Sequence, residues 1–251
     1  MNILVTFAVP AEFAPWQRRR MFRRVPHRRD HFQAECGNAR IHVVLTGMGH
    51  TRALEAVRHV LPARPDLCIS SGLAGALRGE YGVGQILAAR VVGEVGEPVA
   101  VAGHPELFAS ALECGARRVE RFATSQALVR RSEQKRALSA QADAVEMESY
   151  PILAEAARFG VPGIAIRAIS DTADSDLPYD FVDACDVHGQ IRISQLIAQV
   201  LRRPSGLPGL LALARDCRLA ARQLADFLDL YTVTLGDRLL PIEPVEMAAH
   251  R

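Results

Sequence analysis

The 251-residue sequence has almost no net charge, +2 with histidine neutral, which excludes nucleic-acid binding driven by bulk electrostatics. No run of about 18 apolar residues is free of charge, so no membrane span is expected. The start lacks a basic n-region and a cleavage site ahead of Ile3-Leu4-Val5, so a signal peptide is not expected either. The five cysteines, Cys36, Cys68, Cys114, Cys185 and Cys217, are odd in number and scattered. No pair has metal-site spacing, so reduced thiols in a cytoplasmic protein fit better than zinc or a disulfide framework. No cluster implies a metal or an organic cofactor. The glycine turns Gly47-Met48-Gly49 and Gly72-Leu73-Ala74-Gly75 lack the G-x-G-x-x-G spacing that opens a pyrophosphate-binding helix.

What is present is ordinary globular composition, 49% hydrophobic and 23% charged, which argues against disorder. Short apolar runs alternate with helical segments. Ile3 to Phe7, Ile41 to Leu45, Leu67 to Ser71, Gln85 to Val92, Arg118 to Thr124 and Ile164 to Ile169 read as strands, the last buried on both faces. Thr51 to Leu61, stopped by Pro62, Glu133 to Leu138, and Ser149 to Phe159, stopped by Gly160, read as helices. Such alternation predicts an α/β fold, a three-layer sandwich around a central mixed, mostly parallel sheet. The boundaries expected are a catalytic domain over 1–200 and a helical C-terminal extension over 201–251, packed on that domain or on a partner. The extension is carried by Leu207 to Leu230, rich in Leu, Ala and Arg at helical spacing, and the last ten residues read as a frayed end.

Ligands of such sheets bind beyond the carboxyl ends of the strands. Polar or glycine-rich segments follow four of the strands here: Pro10 and Glu12, Gly47 to Gly49, Gly72 to Gly75, and Ser170, Asp171 and Asp174. They would converge on one rim. Taken singly, the acids have plain explanations. Glu12, Glu146 and Glu148 suit the first turn of a helix, and Asp171 with Asp174 suits an N-cap and first turn. The arginines at 18, 19, 20, 23, 24, 28 and 29 form either a solvated surface segment or a patch facing an anionic partner or membrane surface.

Val-Glu-Met-Glu-Ser at 145–149, followed by Arg-Ala-Ile-Ser-Asp-Thr-Ala-Asp at 167–174, resembles the nucleoside phosphorylase and nucleosidase superfamily, which cleaves purine nucleosides. The resemblance extends upstream through Thr46 to Gly49, Ser71 to Leu77, and Val83-Gly84-Gln85-Ile86, where Gln85 replaces the acid of the family's turn. It covers roughly residues 1 to 185. It implies that Asp171 protonates the departing purine, as bond breaking requires. It implies that Glu148, beside Met147, holds the ribose hydroxyls and binds them more strongly as the sugar becomes cationic. Glu146 falls in the same site. Leu128 and Val129 would lie against the base and Phe181 over it, with Met48 and Gly72 completing the binding set.

The superfamily divides between attack by water and attack by phosphate. Its phosphorylases carry an arginine where Ser70 stands, two residues before Gly72. Its hydrolases carry an acid after the first strand, and Glu12 aligns with that acid, placed to orient water. These two positions favour hydrolysis. The N-terminal arginines keep phosphate open as a co-substrate, and Leu73 replaces a serine found in some hydrolases. The tail, Val-Leu-Arg-Arg-Pro at 200–204 and Leu-Pro-Gly-Leu-Leu-Ala-Leu-Ala-Arg-Asp at 207–216, resembles hopanoid-associated phosphorylases, proposed to act on the apolar nucleoside adenosylhopane. Ala-Val-Pro-Ala-Glu at 8–12 is closer to methylthioadenosine/S-adenosylhomocysteine nucleosidases and futalosine hydrolases. The expected partner is therefore a small purine nucleoside, with the 5′ group open. Peripheral membrane contact through the tail, and a homodimer or larger assembly, are further expectations. A silent nucleoside-binding protein would not need a proton donor, so the joint presence of Glu12, Glu148 and Asp171 favours an enzyme.

Overall fold

The computed structural model describes residues 1–178 and 206–238. Phe181 and the 200–204 motif fall outside them. Among the described residues, ten strands form one mixed sheet. Its parallel centre is β4 (Ala39–Leu45), β1 (Asn2–Phe7), β5 (Leu67–Ala76) and β10 (Gly163–Asp171). β10 then pairs antiparallel with β6 (Ile86–Glu94), which runs parallel to β8 (Arg117–Thr124), itself parallel to β9 (Ala144–Glu146). β9 returns to pair with the end of β5. The strands β5, β10, β6, β8 and β9 thus close a ring on that side. On the other side β4 continues into β3 (His31–Cys36) and the two-residue β2 (Arg23–Arg24). A short β7 (Ala100–Ala102) pairs with β6.

Alternation along β1 sorts its side chains between two layers. Ile3, Val5 and Phe7 enter one core, while Leu4 enters another with Val57, Cys68, Ile152 and Ala156. Helices α2 (His50–Arg58) and α5 (Ser149–Arg158) cover the second face. The first is covered by α1 (Pro10–Arg19), α3 (Pro105–Glu113) and the long α6 (Leu207–Asp237). A further helix, α4 (Ser132–Leu138), leads toward β9.

The fold agrees with the expected sandwich, and three local readings change. Gly72 to Gly75 do not turn the chain but continue β5 to Ala76. Ser170 and Asp171 belong to β10 rather than following it. The described part of the tail is helical as expected: it forms one helix, α6, whose Ala220, Leu224, Phe227, Leu228, Tyr231 and Leu235 lie in the central core. The arginine-rich segment is partly structural: Arg19 pairs with Asp226, and Arg20 grips Asp229 through Nε and Nη2 at 2.5 and 2.9 Å. These pairs tie α1 to α6, helped by the Trp16 indole N–H donating to Asp229.

Leu228 is fully buried, and Leu228→Ala should cost about 2–5 kcal/mol of unfolding free energy in a urea titration. A loss below about 1 kcal/mol would mean that α6 sits beside the core without belonging to it.

Candidate active site

The carboxyl ends of β1, β5, β8, β9 and β10 open on a cavity of about 210 Å³. Val9, Glu12, Met48, Leu128, Val129, Glu146, Met147, Glu148 and Asp171 all line it. The segments picked out after separate strands therefore do meet at one rim. Gly72 lies just behind this lining.

Glu12 stands at the third position of α1, whose first residue is Pro10. Its Oε2 accepts the Ala8 and Val9 N–H groups at 2.9 and 3.2 Å, and its Oε1 accepts the Leu73 N–H at 2.9 Å. Helix capping and a place in the cavity are thus one geometry. Burial nonetheless raises the proton affinity of Glu12, against those backbone bonds and the Arg167 charge. Gly72 explains how the carboxylate fits: φ is +148°, and a Cβ there would stand 3.1 Å from Glu12 Oε1.

Glu146 is held differently. Its Oε2 accepts the N–H groups of Glu148 and Ser149 at 2.9 and 2.7 Å, capping α5, and receives Arg167 Nη2 at 2.7 Å. Thr124 donates to its other oxygen. Burial pushes its proton affinity up, but the Arg167 charge and these hydrogen bonds outweigh it, and the net shift is downward. Glu146 is therefore a fixed anion inside the wall. Glu148 accepts the Gly49 N–H at 2.7 Å and, among the described residues, has no salt-bridge partner. Burial first, and the neighbouring Glu146 second, raise its pKa to about 8.

Asp171 reaches the cavity through an irregularity in β10. Ile169 pairs with Ala74 and Asp171 with Gly75, which leaves Ser170 as an extra residue. Such a bulge re-aims side chains, and both Ser170 and Asp171 line the cavity. Ser170 Oγ donates to Asp171 Oδ1 at 2.6 Å. Gly75 leaves the necessary room, since a Cβ there would stand 2.9 Å from Asp171 Oδ2. That same Oδ2 receives the buried ammonium of Lys135.

Three contributors were not anticipated. Arg167 lies within an otherwise apolar strand, 1% exposed, and binds Glu146, Ser149 Oγ at 2.7 Å and Ser70 Oγ at 3.3 Å. Its charge inside a doubly buried run was itself a signal. Lys135 sits in the polar α4, where nothing in the local pattern marks it. Leu213 and Cys217 bring α6 into the wall of the cavity, a long-range contact without a local signature. Among the described residues, no group of His, Cys, Asp and Glu could hold a metal ion, and no helix is long and apolar enough to cross a membrane.

A sequence profile described as the phosphorylase superfamily matches residues 2–202. The chain belongs to the phosphorylase superfamily. That membership bears out its reading as an enzyme. Among solved structures, this superfamily member is similar to the native futalosine hydrolase of Helicobacter pylori, with TM-score 0.71, 19% identity and coverage of 94% of this chain and 98% of that one. It is similar to a 5′-methylthioadenosine/S-adenosylhomocysteine nucleosidase of Campylobacter jejuni, with TM-score 0.70, 17% identity and coverage of 93% and 99%. The same holds for the corresponding nucleosidase of S. pneumoniae with a transition-state inhibitor, with TM-score 0.72, 17% identity and coverage of 94% and 100%. At these identities the likeness is one of fold. No curated protein matches by sequence.

The Glu148 assignment gives a stability test. With a folded pKa near 8 against an ordinary 4.5, the folded state keeps a proton that the unfolded state loses between those values. Stability from the neutral form is therefore full below about 4.5 and is lost as pH rises through about 8. Glu148→Gln cannot ionise, so its melting temperature should gain on the parent's steadily across this window. A constant difference would place the Glu148 pKa near its ordinary value.

Proposed function

We propose that this superfamily member hydrolyses the N-glycosidic bond of an adenine nucleoside, with water as the attacking group. The observation that carries the reading is the division of the buried charges. Glu146 is paired with Arg167 and Asp171 with Lys135. Among the described residues, Glu12 and Glu148 have no salt-bridge partner and are held by backbone N–H groups.

A phosphate ion entering here would face Glu12, whose carboxyl is held by backbone N–H groups. Among the described residues, the guanidinium of Arg167 already serves Glu146 and sits beside Ser70. Arg19 and Arg20 pair with acids of α6, which argues against their serving phosphate. Water meets no such repulsion, and a carboxylate whose proton affinity is raised by burial makes a better base for it.

In this mechanism Glu12 takes a proton from water as the oxygen attacks C1′. Glu148 binds the ribose hydroxyls, and the bond strengthens as positive charge develops on the sugar. Asp171 delivers a proton to the base as the electron pair of the C1′–N bond moves onto it. Leu128 and Val129 flank the base, and Met147 lies beneath the ribose. Val9, Leu73, Leu213 and Cys217 leave the rest of the lining without charge. This supports an apolar 5′ substituent, as in methylthioadenosine or adenosylhopane, over a phosphorylated one.

The test is base release from adenosine, methylthioadenosine and a 5′-alkyl adenosine, each with and without phosphate. Release yielding free sugar at a rate indifferent to phosphate is expected. Strict phosphate dependence with a sugar 1-phosphate product would defeat the hydrolytic reading. Asp171→Asn should fold and lose about a hundredfold or more in turnover. Glu12→Gln should lose water attack comparably, and undiminished hydrolysis would remove Glu12 from the nucleophile's side.

A further inference from the structure

Building on the nucleoside-cleaving reading, we propose that Lys135 is a positioning residue that aims Asp171 at the departing base and supplies the proton Asp171 delivers. Lysine is among the side chains least often fully buried, because its charge loses hydration there. Lys135 is 0% exposed nevertheless. Its three ammonium hydrogens have three acceptors: the Asp171 carboxylate, the Thr172 carbonyl at 2.7 Å and the Ser175 carbonyl at 3.0 Å. The two carbonyls fix the turn that follows β10. A neutral donor could serve them equally well. The carboxylate is the partner that calls for an ammonium.

The arrangement at Asp171 is directional. Ser170 donates to Oδ1 and Lys135 to Oδ2, so the protein fixes both oxygens while the side chain still lines the cavity. The buried pair holds one transferable proton. Its passage from Nζ to Oδ2 turns ammonium and carboxylate into amine and carboxylic acid, with no net charge moved out of the protein. The acid then protonates the base as the C1′–N electron pair arrives there, leaving amine and carboxylate. Glu12 has meanwhile gained the proton lost by water, and after product release that proton returns to the pair through solvent. The cycle balances without any other reactant.

The test uses Lys135→Met and Lys135→Gln in the full-length chain. The probes are adenosine and ring-substituted adenosines whose departing bases are progressively less basic. The ratio of rates on two such substrates in one preparation does not depend on how much of the chain is folded. Adenine release should lose about a hundredfold in kcat with little change in KM, and the loss should shrink as the base grows less basic. Asp171→Asn should show the same trend. A loss uniform across the series would make Lys135 a support for the turn alone, and undiminished rates would also overturn the proposal. If the parent protein released no base from any of these adenosines, the nucleoside-cleaving reading itself would fall.

Discussion

The buried Arg167–Glu146 pair is the constraint on which the site depends. Arg167 projects from β10, and its guanidinium touches side chains from β5, β9 and α5. Glu146 in turn caps α5, and the residue whose N–H it holds is Glu148. The position of one cavity acid is therefore set through the ion pair of another. Burying two charges is costly, and removing one partner from such a pair typically costs about 3–5 kcal/mol, because the survivor is left uncompensated. The pair fixes geometry more than it adds stability.

The cavity acids fall into two kinds by what faces them. Glu146 and Asp171 have cations, whereas Glu12 and Glu148 rely on peptide dipoles. Three ionised carboxylates close together would repel strongly, and the raised proton affinity of Glu148 relieves this in the empty site. Groups whose environments drive their proton affinities apart are the usual mark of acid and base roles. Here the separation follows from backbone geometry: a helix start for Glu12, a strand irregularity for Asp171, and the extended turn at Gly49 for Glu148.

Much of this was legible in the sequence where local pattern and final burial coincide. β1, β10 and α5 read correctly because their apolar runs are unbroken or helically spaced; Glu12 and Asp171 were found because each follows or ends such a run, and Glu146 and Glu148 through the Val-Glu-Met-Glu-Ser resemblance. Gly72 to Gly75 misled for an instructive reason. Small residues there suggest a turn, yet they serve to make room in a strand for the carboxylates of Glu12 and Asp171. The hairpin of β2 and β3, the strand β7 and the helix α3 were not anticipated; the first is polar and β7 has only three residues. Lys135 and Arg167 acquire meaning only from acids brought to them by distant parts of the chain. The same is true of α6, whose amphipathic stripe was plain but whose partner surface was not.

The closure of β5 through β9 also leaves the sheet with few free margins. On the side of β4 it ends in β2, only two residues long, both of them exposed arginines and followed within two residues by Pro26. An unpaired strand margin is a template for aggregation, and short length, positive charge and proline are the usual protections. Two molecules meeting margin to margin here would bring guanidinium against guanidinium. The arginines of this segment thereby favour colloidal solubility during folding and at high concentration, a benefit separate from anything that happens in the cavity.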